Sequence, residues 1–341
     1  MKLAPATLRD WLALPLRVMA MLALLAASGV AVAFLLTTMP GQSATGPLPT
    51  LSKHQLARQE RLRHDVVHLA STIGERHVHR PDRLELAARH IEGELRSAGW
   101  AVSAVGYECR GLVVRNVVAE RRGISRPQEV VLLGAHYDSV ERSAGADDNA
   151  SGVAVLLEFA RSIGSRPLAR TVRLVAFVNE EPPWFRSPLM GSRIAARQFA
   201  ARGDRLTDVV VLDAIGYFCD DPCQRYPPLL DWFFPKEGNF IAFVGRARDW
   251  LRLRDVVGTF RRHASVPSEG LAAPRWVPGI DYSDHAEFWD VGYPGILVTD
   301  APTYRNEHYH RHSDLPETVD FDRLTRVADG IVAVIAELAS R

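Results

Sequence analysis

Three short and almost wholly apolar runs constrain the fold of this chain more than any other feature. They occupy residues 130–135, 171–178 and 209–212 and are rich in Val and Leu. Runs of this length and composition predict strands that are buried on both faces, as in a parallel sheet covered by helices. The chain is therefore expected to contain an α/β domain.

Each of these runs ends in side chains that can bind a metal ion. His136 and Asp138 follow the first run, Glu180 and Glu181 follow the second, and Asp213 follows the third. In open α/β sheets, sites form beyond the carboxyl ends of the strands, so these side chains are expected to converge.

Two further candidate ligands lie outside the strand ends. Asp148 lies in a Gly-rich turn, residues 145–152, that opens a helix-like run, and His310 follows late in the chain. Taken singly, such residues are typical of an N-cap cluster, solvated charge or a hydrogen-bonded histidine. Taken together, they match a pair of metal ions, which needs about five ligand side chains, one of them shared, and a separate carboxylate for the water proton.

The ordered motifs resemble those of the zinc aminopeptidase family that also contains glutamate carboxypeptidase II, peptidase family M28. The resemblance runs from about residue 56 to about residue 338. The matching segments are residues 134–138, 145–152, 179–181, 212–216 and 309–310, followed by Asp314.

The resemblance implies two zinc ions and a role for each site residue. The implied metal ligands are His136, Asp148, Glu181, Asp213 and His310, with Asp148 bridging the two ions. His310 is preferred over His308 and His312 because Asp314 follows it by four residues, as in the family.

The remaining implied roles are catalytic or supporting. Glu180 is the expected general base, and Asp138 is expected to orient His136. Tyr309 is expected either to donate a hydrogen bond to the oxyanion or to pack as a strand-end aromatic residue. Asp284, in a further matching segment, is assigned a supporting role.

The N-terminal region predicts a membrane anchor. Residues 18–39 form an apolar run long enough to span a bilayer, and Lys2, Arg9 and Arg17 precede it. The positive-inside rule gives a cytoplasmic segment 1–17, a signal anchor 18–39, a linker 40–50 and a zinc peptidase domain 51–341 on the periplasmic side of the inner membrane. A cleaved signal peptide is the alternative, although its apolar region is normally about 7–15 residues.

The expected architecture is a three-layer α/β/α sandwich with a central mixed, mostly parallel sheet, preceded by one transmembrane helix. Further strands are expected at 113–119, 240–244 and 296–299, and a closing helix at 321–338. Apolar residues at helical spacing before the sheet predict two more helices: Leu62, Val66, Leu69 and Ile73, then Leu84, Ala88, Ile91 and Leu95.

Charge and cysteine content narrow the function classes. The net charge is +1 and the 41 basic residues are scattered, which excludes a basic nucleic-acid-binding patch. Cys219 and Cys223 are close enough in sequence to form a small disulfide loop outside the cytoplasm, which leaves Cys109 over. No sequence feature indicates an oligomeric state.

The predicted activity is hydrolysis of peptide bonds at chain ends, with an aminopeptidase favoured. A carboxypeptidase or dipeptidase, a glutaminyl cyclase-like acyltransferase and a non-catalytic scaffold are the alternatives. Arg186, Arg193 and Arg305 are candidates for holding a terminal carboxylate, and the aromatic residues 184–185 and 232–234 for walling a side-chain pocket. Zinc is preferred to manganese or cobalt from the ligand types and the family.

Overall fold

The computed structural model describes residues 8–164, 166–228 and 230–341, with side chains from residue 15 onward. The described chain falls into two compact units that divide between Thr38 and Met39. The first consists of one helix, α1 (Leu8–Thr37). Within it, Pro15–Thr37 is long and apolar enough to cross a membrane by length and composition.

The second unit is built on one eight-stranded sheet. The strands are β1 (Ala101–Cys109), β2 (Leu112–Arg121), β3 (Arg126–His136), β4 (Arg170–Phe177), β5 (Arg205–Leu212), β6 (Ile241–Arg246), β7 (Ser268–Ala273) and β8 (Ile296–Thr299). They lie in the order β1-β2-β4-β3-β5-β8-β6-β7, and four of the seven pairings in the described residues are parallel. The expected mixed, mostly parallel sheet is confirmed.

Helices cover both faces of this sheet. They are α2 (Lys53–Val67), α3 (Pro81–Ser97), α4 (Gly152–Ser162), α5 (Gly191–Ala201), α6 (Trp250–His263), α7 (His285–Asp290), α8 (Pro302–Arg305) and α9 (Phe321–Ser340). On one face α4 and α9 contact β3, with α2 and α6 packed against α9. On the other face α5 and α7 contribute to a core that contains the buried side chains of Val130, Leu132, Phe177, Phe199 and Phe288.

The start of the segment that the sequence predicted to be a linker belongs to the second unit and lies beside the edge strand β7. Arg261 donates hydrogen bonds to the carbonyls of Met39 and Gly41, both at 3.1 Å, and Met39 is buried. The Ser43 hydroxyl donates to the carbonyl of Ser268 at 3.1 Å and accepts its amide at 2.8 Å. These contacts cover part of a sheet edge that would otherwise expose unpaired backbone groups.

The strand order fixes where the site forms. The neighbours β4, β3, β5 and β8 run parallel, so their carboxyl ends meet at one edge of the sheet. Adjacent strands lie about 4.8 Å apart, which brings side chains from different strand ends within reach of one another.

Candidate metal centre

The three predicted strand ends converge. His136 is the last residue of β3, Asp213 directly follows β5, and Glu180 lies three residues after β4. The His136 Nε2 atom lies 3.5 Å from an Asp213 carboxylate oxygen and 4.0 Å from a Glu180 oxygen. Residues separated by dozens of positions in the chain therefore share one buried pocket.

Asp148 lies between the two histidines. One of its carboxylate oxygens is 3.1 Å from His136 Nε2, and the other is 3.2 Å from His310 Nε2. His310 Nε2 is also 3.0 Å from Glu181. The candidate ligand atoms form two groups, each within 4.8 Å, that share Asp148: His136 with Asp148 and Asp213, and Asp148 with Glu181 and His310.

The donor set fits zinc. Imidazole and carboxylate are zinc ligands, and three from the protein per ion leave room for water or substrate. His136 Nε2 and Glu181 Oε2 are buried and form no well-aligned hydrogen bond among the described residues, although they lie 3.1 Å from Asp148 and 3.0 Å from His310. Burial and the neighbouring Asp148 raise the pKa of Glu181 to about 7. Buried carboxylates without enough positive charge are unfavourable, and a bound cation removes that cost.

Asp138 fixes the Glu180–Glu181 segment as well as the histidine. Its two carboxylate oxygens accept the backbone amides of Glu180 at 3.2 Å and Glu181 at 3.1 Å. The contact between His136 Nδ1 and Asp138 is to the backbone carbonyl at 3.2 Å, whereas the nearer carboxylate oxygen lies at 3.7 Å. The carboxylate of Asp138 therefore acts mainly on the backbone of the glutamate pair.

Glu180 and Glu181 are held differently. Glu181 Oε1 accepts the amide of Val140 at 3.1 Å, which leaves Oε2 facing His310. Burial, together with nearby Asp213 and Asp284, raises the pKa of Glu180 well above its ordinary value. Glu180 lies outside both groups of candidate ligands, so it is free to accept a proton beside the site.

The late loop contributes His310 and Tyr309. The Tyr309 ring stacks on the His310 ring with centroids 3.9 Å apart, and both side chains are partly buried. His308 instead contacts Ser313 at 3.0 Å, and the His312 side chain is exposed. Of the three histidines in this loop, only His310 belongs to a group of candidate metal ligands in the part of the chain that the structure describes.

The backbone turns sharply at or beside several candidate ligands. Asn179, Ala214 and His310 have φ values of 60°, 49° and 58°, in the left-handed region that non-glycine residues rarely adopt. Such conformations persist only where the surrounding structure enforces them, and they cluster at functional sites.

Sequence reasoning missed several residues that support the turn carrying Asp148. Asp147 accepts the Gly216 amide and the Asn306 side-chain amide, each at 2.8 Å. Burial and Asp147 raise the pKa of Asp300 well above its ordinary value. Asp300 directly follows β8, so the strand-end pattern used for the ligands selects it as well.

Arg76 is a second missed residue, with no signal in the sequence. Its guanidinium is fully buried and donates to the carbonyls of Tyr137 and Gly145, each at 2.7 Å. These bonds tie the end of β3 to the start of the turn. Burial lowers the pKa of Arg76 to about 10.

An apolar cavity of about 110 Å³ opens beside Asp213 and Tyr309. Of the aromatic residues considered from the sequence, Phe234 lines it, whereas Trp232 is 78% exposed and Trp184 lies by Arg110. Cys219 and Cys223 are joined in a disulfide, and Cys109 is a buried free thiol.

Comparison with known proteins agrees with this geometry. The model of Peptidase family M28 matches residues 116–335. YfbL of Escherichia coli (strain K12), an uncharacterized protein, is 35% identical over 84% of this chain and 90% of its own length. A probable leucine aminopeptidase 1 of Trichophyton verrucosum is 24% identical over 91% of this chain and 80% of its own.

Solved structures share the fold. BSAP, a zinc aminopeptidase from Bacillus subtilis, aligns with a TM-score of 0.66 at 14% identity over 87% of this chain and 97% of its own. A glutaminyl cyclase of Fimbriiglobus ruber aligns with a TM-score of 0.59 at 19% identity over 87% of this chain and 99% of its own.

The fold and the strand-end ligand set define a zinc-dependent metallohydrolase. Because the family model covers more than half of the chain, and a relative at 35% identity spans most of it, the assignment can be narrower. The chain belongs to peptidase family M28, a family of zinc-dependent exopeptidases.

Proposed function

We propose that the chain is a membrane-anchored aminopeptidase that uses two zinc ions. One ion is assigned to His136, Asp148 and Asp213, and the other to Asp148, Glu181 and His310. The observation that carries the proposal is the position of Asp148, whose two carboxylate oxygens face different histidines at 3.1 and 3.2 Å. A carboxylate shared in this way is what a bridged pair of ions needs.

The chain's own residues supply the proton transfers. The chemistry that a zinc pair supplies when bound is polarisation of the scissile carbonyl and a lowered pKa of water, toward ~7. Glu180 accepts the proton of the attacking water and returns it to the departing amine. One of its carboxylate oxygens lies 4.0 Å from His136 Nε2, and the residue is outside both groups of candidate ligands.

Two residues position these groups. Asp138 holds the backbone of Glu180, so the general base keeps a fixed place relative to His136. Tyr309, stacked on His310, donates a hydrogen bond to the oxygen that becomes negative in the tetrahedral state.

The arginines near the site support action at the amino end of a peptide. A carboxypeptidase needs a free cation for the terminal carboxylate. Arg186 pairs with Asp281 at 2.6 Å, and Arg305 donates to the carbonyls of Gly238 at 2.7 Å and Phe240 at 2.8 Å. Arg193 pairs with Glu287. All three candidates are engaged elsewhere in the fold.

The two-metal ligand set also weighs against the cyclase alternative. A glutaminyl cyclase-like reaction needs one zinc ion and releases ammonia without water. The described residues include two candidate ligand groups that share Asp148, which supports two ions rather than one. The structural similarity to the Fimbriiglobus ruber cyclase nevertheless makes that reaction the second candidate.

The location follows from α1. We assign Pro15–Thr37 as a single-pass anchor in the inner membrane, with the domain on the periplasmic side, because basic residues precede the span. Protease added to intact spheroplasts is expected to digest the domain, and protection of the domain in intact spheroplasts would contradict this orientation.

A substrate panel tests the activity. The zinc-loaded full chain in detergent is given aminoacyl anilides, free dipeptides, N-blocked peptides, C-terminally blocked peptides and an N-terminal glutaminyl substrate. Cleavage that requires a free amino group and tolerates a blocked carboxyl end supports the aminopeptidase. Pyroglutamate formation without amino-acid release would support the cyclase instead.

A further inference from the structure

The cavity beside Asp213 ends at a carboxylate that the metal centre does not use. It crosses the sheet from β5 over β8 and β6 to the edge strand β7. Thr299, Ala242 and Glu269 lie in one register row along its floor, because Ala242 pairs with both of the others. Three strand spacings of about 4.8 Å place Glu269 roughly 14 Å from Asp213 along the sheet.

The walls between these two ends are apolar. A second row beside the first consists of Leu297, Val244 and Leu271. Aromatic and aliphatic side chains close the cavity from above, among them Phe234, Tyr282 and Ile280. An unbranched aliphatic chain entering from the metal centre would therefore contact mainly hydrocarbon before it reached Glu269.

Glu269 lacks a hydrogen-bond donor in the described part of the chain. Its nearest cation, Arg261, is 3.9 Å away. The Arg261 guanidinium is directed to other acceptors: the Ser268 carbonyl at 2.7 Å and the carbonyls of Met39 and Gly41 at 3.1 Å. Burial raises the pKa of Glu269. The Glu269 side chain is partly exposed and lines the cavity, so its carboxylate can accept hydrogen bonds from a ligand ammonium or guanidinium.

We propose that Glu269 selects substrates whose N-terminal residue is lysine or arginine. The aliphatic stem of such a side chain packs on the apolar walls, and its cationic head binds the carboxylate at the far end. A leucine side chain would fill only the near part of the cavity. The inference rests on the proposed aminopeptidase activity, because it assigns the side-chain pocket of that same site.

The test compares Glu269→Gln with the unchanged chain, both zinc-loaded and full length. The substitution keeps the shape of the side chain and removes its charge. For Lys and Arg anilides, kcat/KM is expected to fall about 10- to 100-fold, the factor that a hydrogen bond to a charged group is typically worth. For the Leu anilide it is expected to change by less than about threefold, since Glu269 makes no contact with a short side chain.

Glu237→Gln is the matched control, because Glu237 is exposed and does not line the cavity. It should leave the Lys-to-Leu ratio unchanged. Metal content and thermal unfolding are measured for each variant, and Glu269→Leu gives a second replacement that should also lower the Lys-to-Leu ratio.

Two results would overturn the assignment of Glu269: an equal loss on Lys, Arg and Leu substrates, or no loss on any of them. Failure of the proposed function gives a different result. In that case the unchanged chain releases no amino acid from any anilide.

Discussion

Asp314 holds Asp148 by its backbone: an Asp314 carboxylate oxygen accepts the Asp148 amide at 3.2 Å. The other oxygen accepts the Asp147 amide at 2.8 Å. Asp314 follows His310 by four residues, so one loop supplies both a candidate ligand and the carboxylate that holds the backbone of Asp148. The spacing that selected His310 in the sequence therefore has a physical basis.

Replacing Asp314 with Asn is expected to weaken metal binding without removing a ligand. The new side-chain amide group would face a backbone amide that needs an acceptor, so the turn carrying Asp148 loosens. Loss of such a support typically costs 10- to 100-fold in metal affinity. Zinc affinity is measured by competition with a chelator, and Glu317→Gln, on an exposed residue nearby, serves as the control. Unchanged zinc affinity would show that the hydrogen bonds from the Asp147 and Asp148 amides to Asp314 do not contribute to metal binding.

Glu180 and Glu181 are expected to respond differently to the same substitution. Glu180→Gln should reduce kcat by about 10²- to 10⁴-fold, the usual contribution of a positioned general base. Its zinc content should stay near that of the unchanged chain, because Glu180 is not in either ligand group. Glu181→Gln should lower the zinc content. The opposite pattern, with zinc lost from the Glu180 variant, would mean that the two roles are exchanged.

Strands with continuous apolar runs were predictable from the sequence, and those with mixed surfaces were not. Residues 296–299 are β8 as expected, and 113–119 lie inside β2. No strand was predicted at β1 or β7. Most of β1 is exposed and lacks a clear alternation, and β7 contains mainly small residues. Both are edge strands that pair with one neighbour each, and neither contains the continuous apolar run that predicts a central buried strand.

The residues of the candidate site also fall into those that were predictable from the sequence and those that were not. Side chains at strand ends could be predicted because their positions follow from the direction of the strands. The role of Arg76 could not be predicted from the sequence, because it depends on five backbone carbonyls that only the fold brings together. The use of Asp138 as an acceptor for the Glu180 and Glu181 amides also depends on the adjacency of β3 and β4, which the sequence does not state.

Among the late histidines, only His310 is expected to affect metal content when replaced. His310→Ala removes a side chain that lies 3.2 Å from Asp148 and 3.0 Å from Glu181, so zinc content should fall toward one ion per chain. His312→Ala is the matched control, because this neighbouring histidine is exposed. Metal content is measured by atomic emission after dialysis. A loss of zinc in the His312 variant alone would mean that His312, and not His310, is the ligand.

Glu158 is expected to stabilise the fold in a pH-dependent way. It is fully buried on α4 and accepts hydrogen bonds from Arg58 at 2.9 Å, Arg61 at 2.7 and 2.9 Å, and Ser162 at 2.8 Å. Replacing it with Gln leaves Arg58 buried with less compensation. We expect a loss of about 2–3 kcal/mol in the free energy of unfolding at pH 7, below the usual value for a buried pair because Arg61 is partly exposed.

The sign of the pH effect follows from the pKa. Burial alone would raise the pKa of Glu158, but the hydrogen bonds from Arg61 and Arg58 lower it below the ordinary 4.5. The stabilisation is therefore complete above pH 4.5 and is lost as the pH falls through the lower folded-state value. In urea unfolding, the difference in the free energy of unfolding between the unchanged chain and Glu158→Gln should become smaller at acid pH. Glu60→Gln, on the exposed side of α2, should show little difference at either pH. If this difference in the free energy of unfolding is the same at neutral and acid pH, Glu158 stabilises the fold by packing and not by its charge.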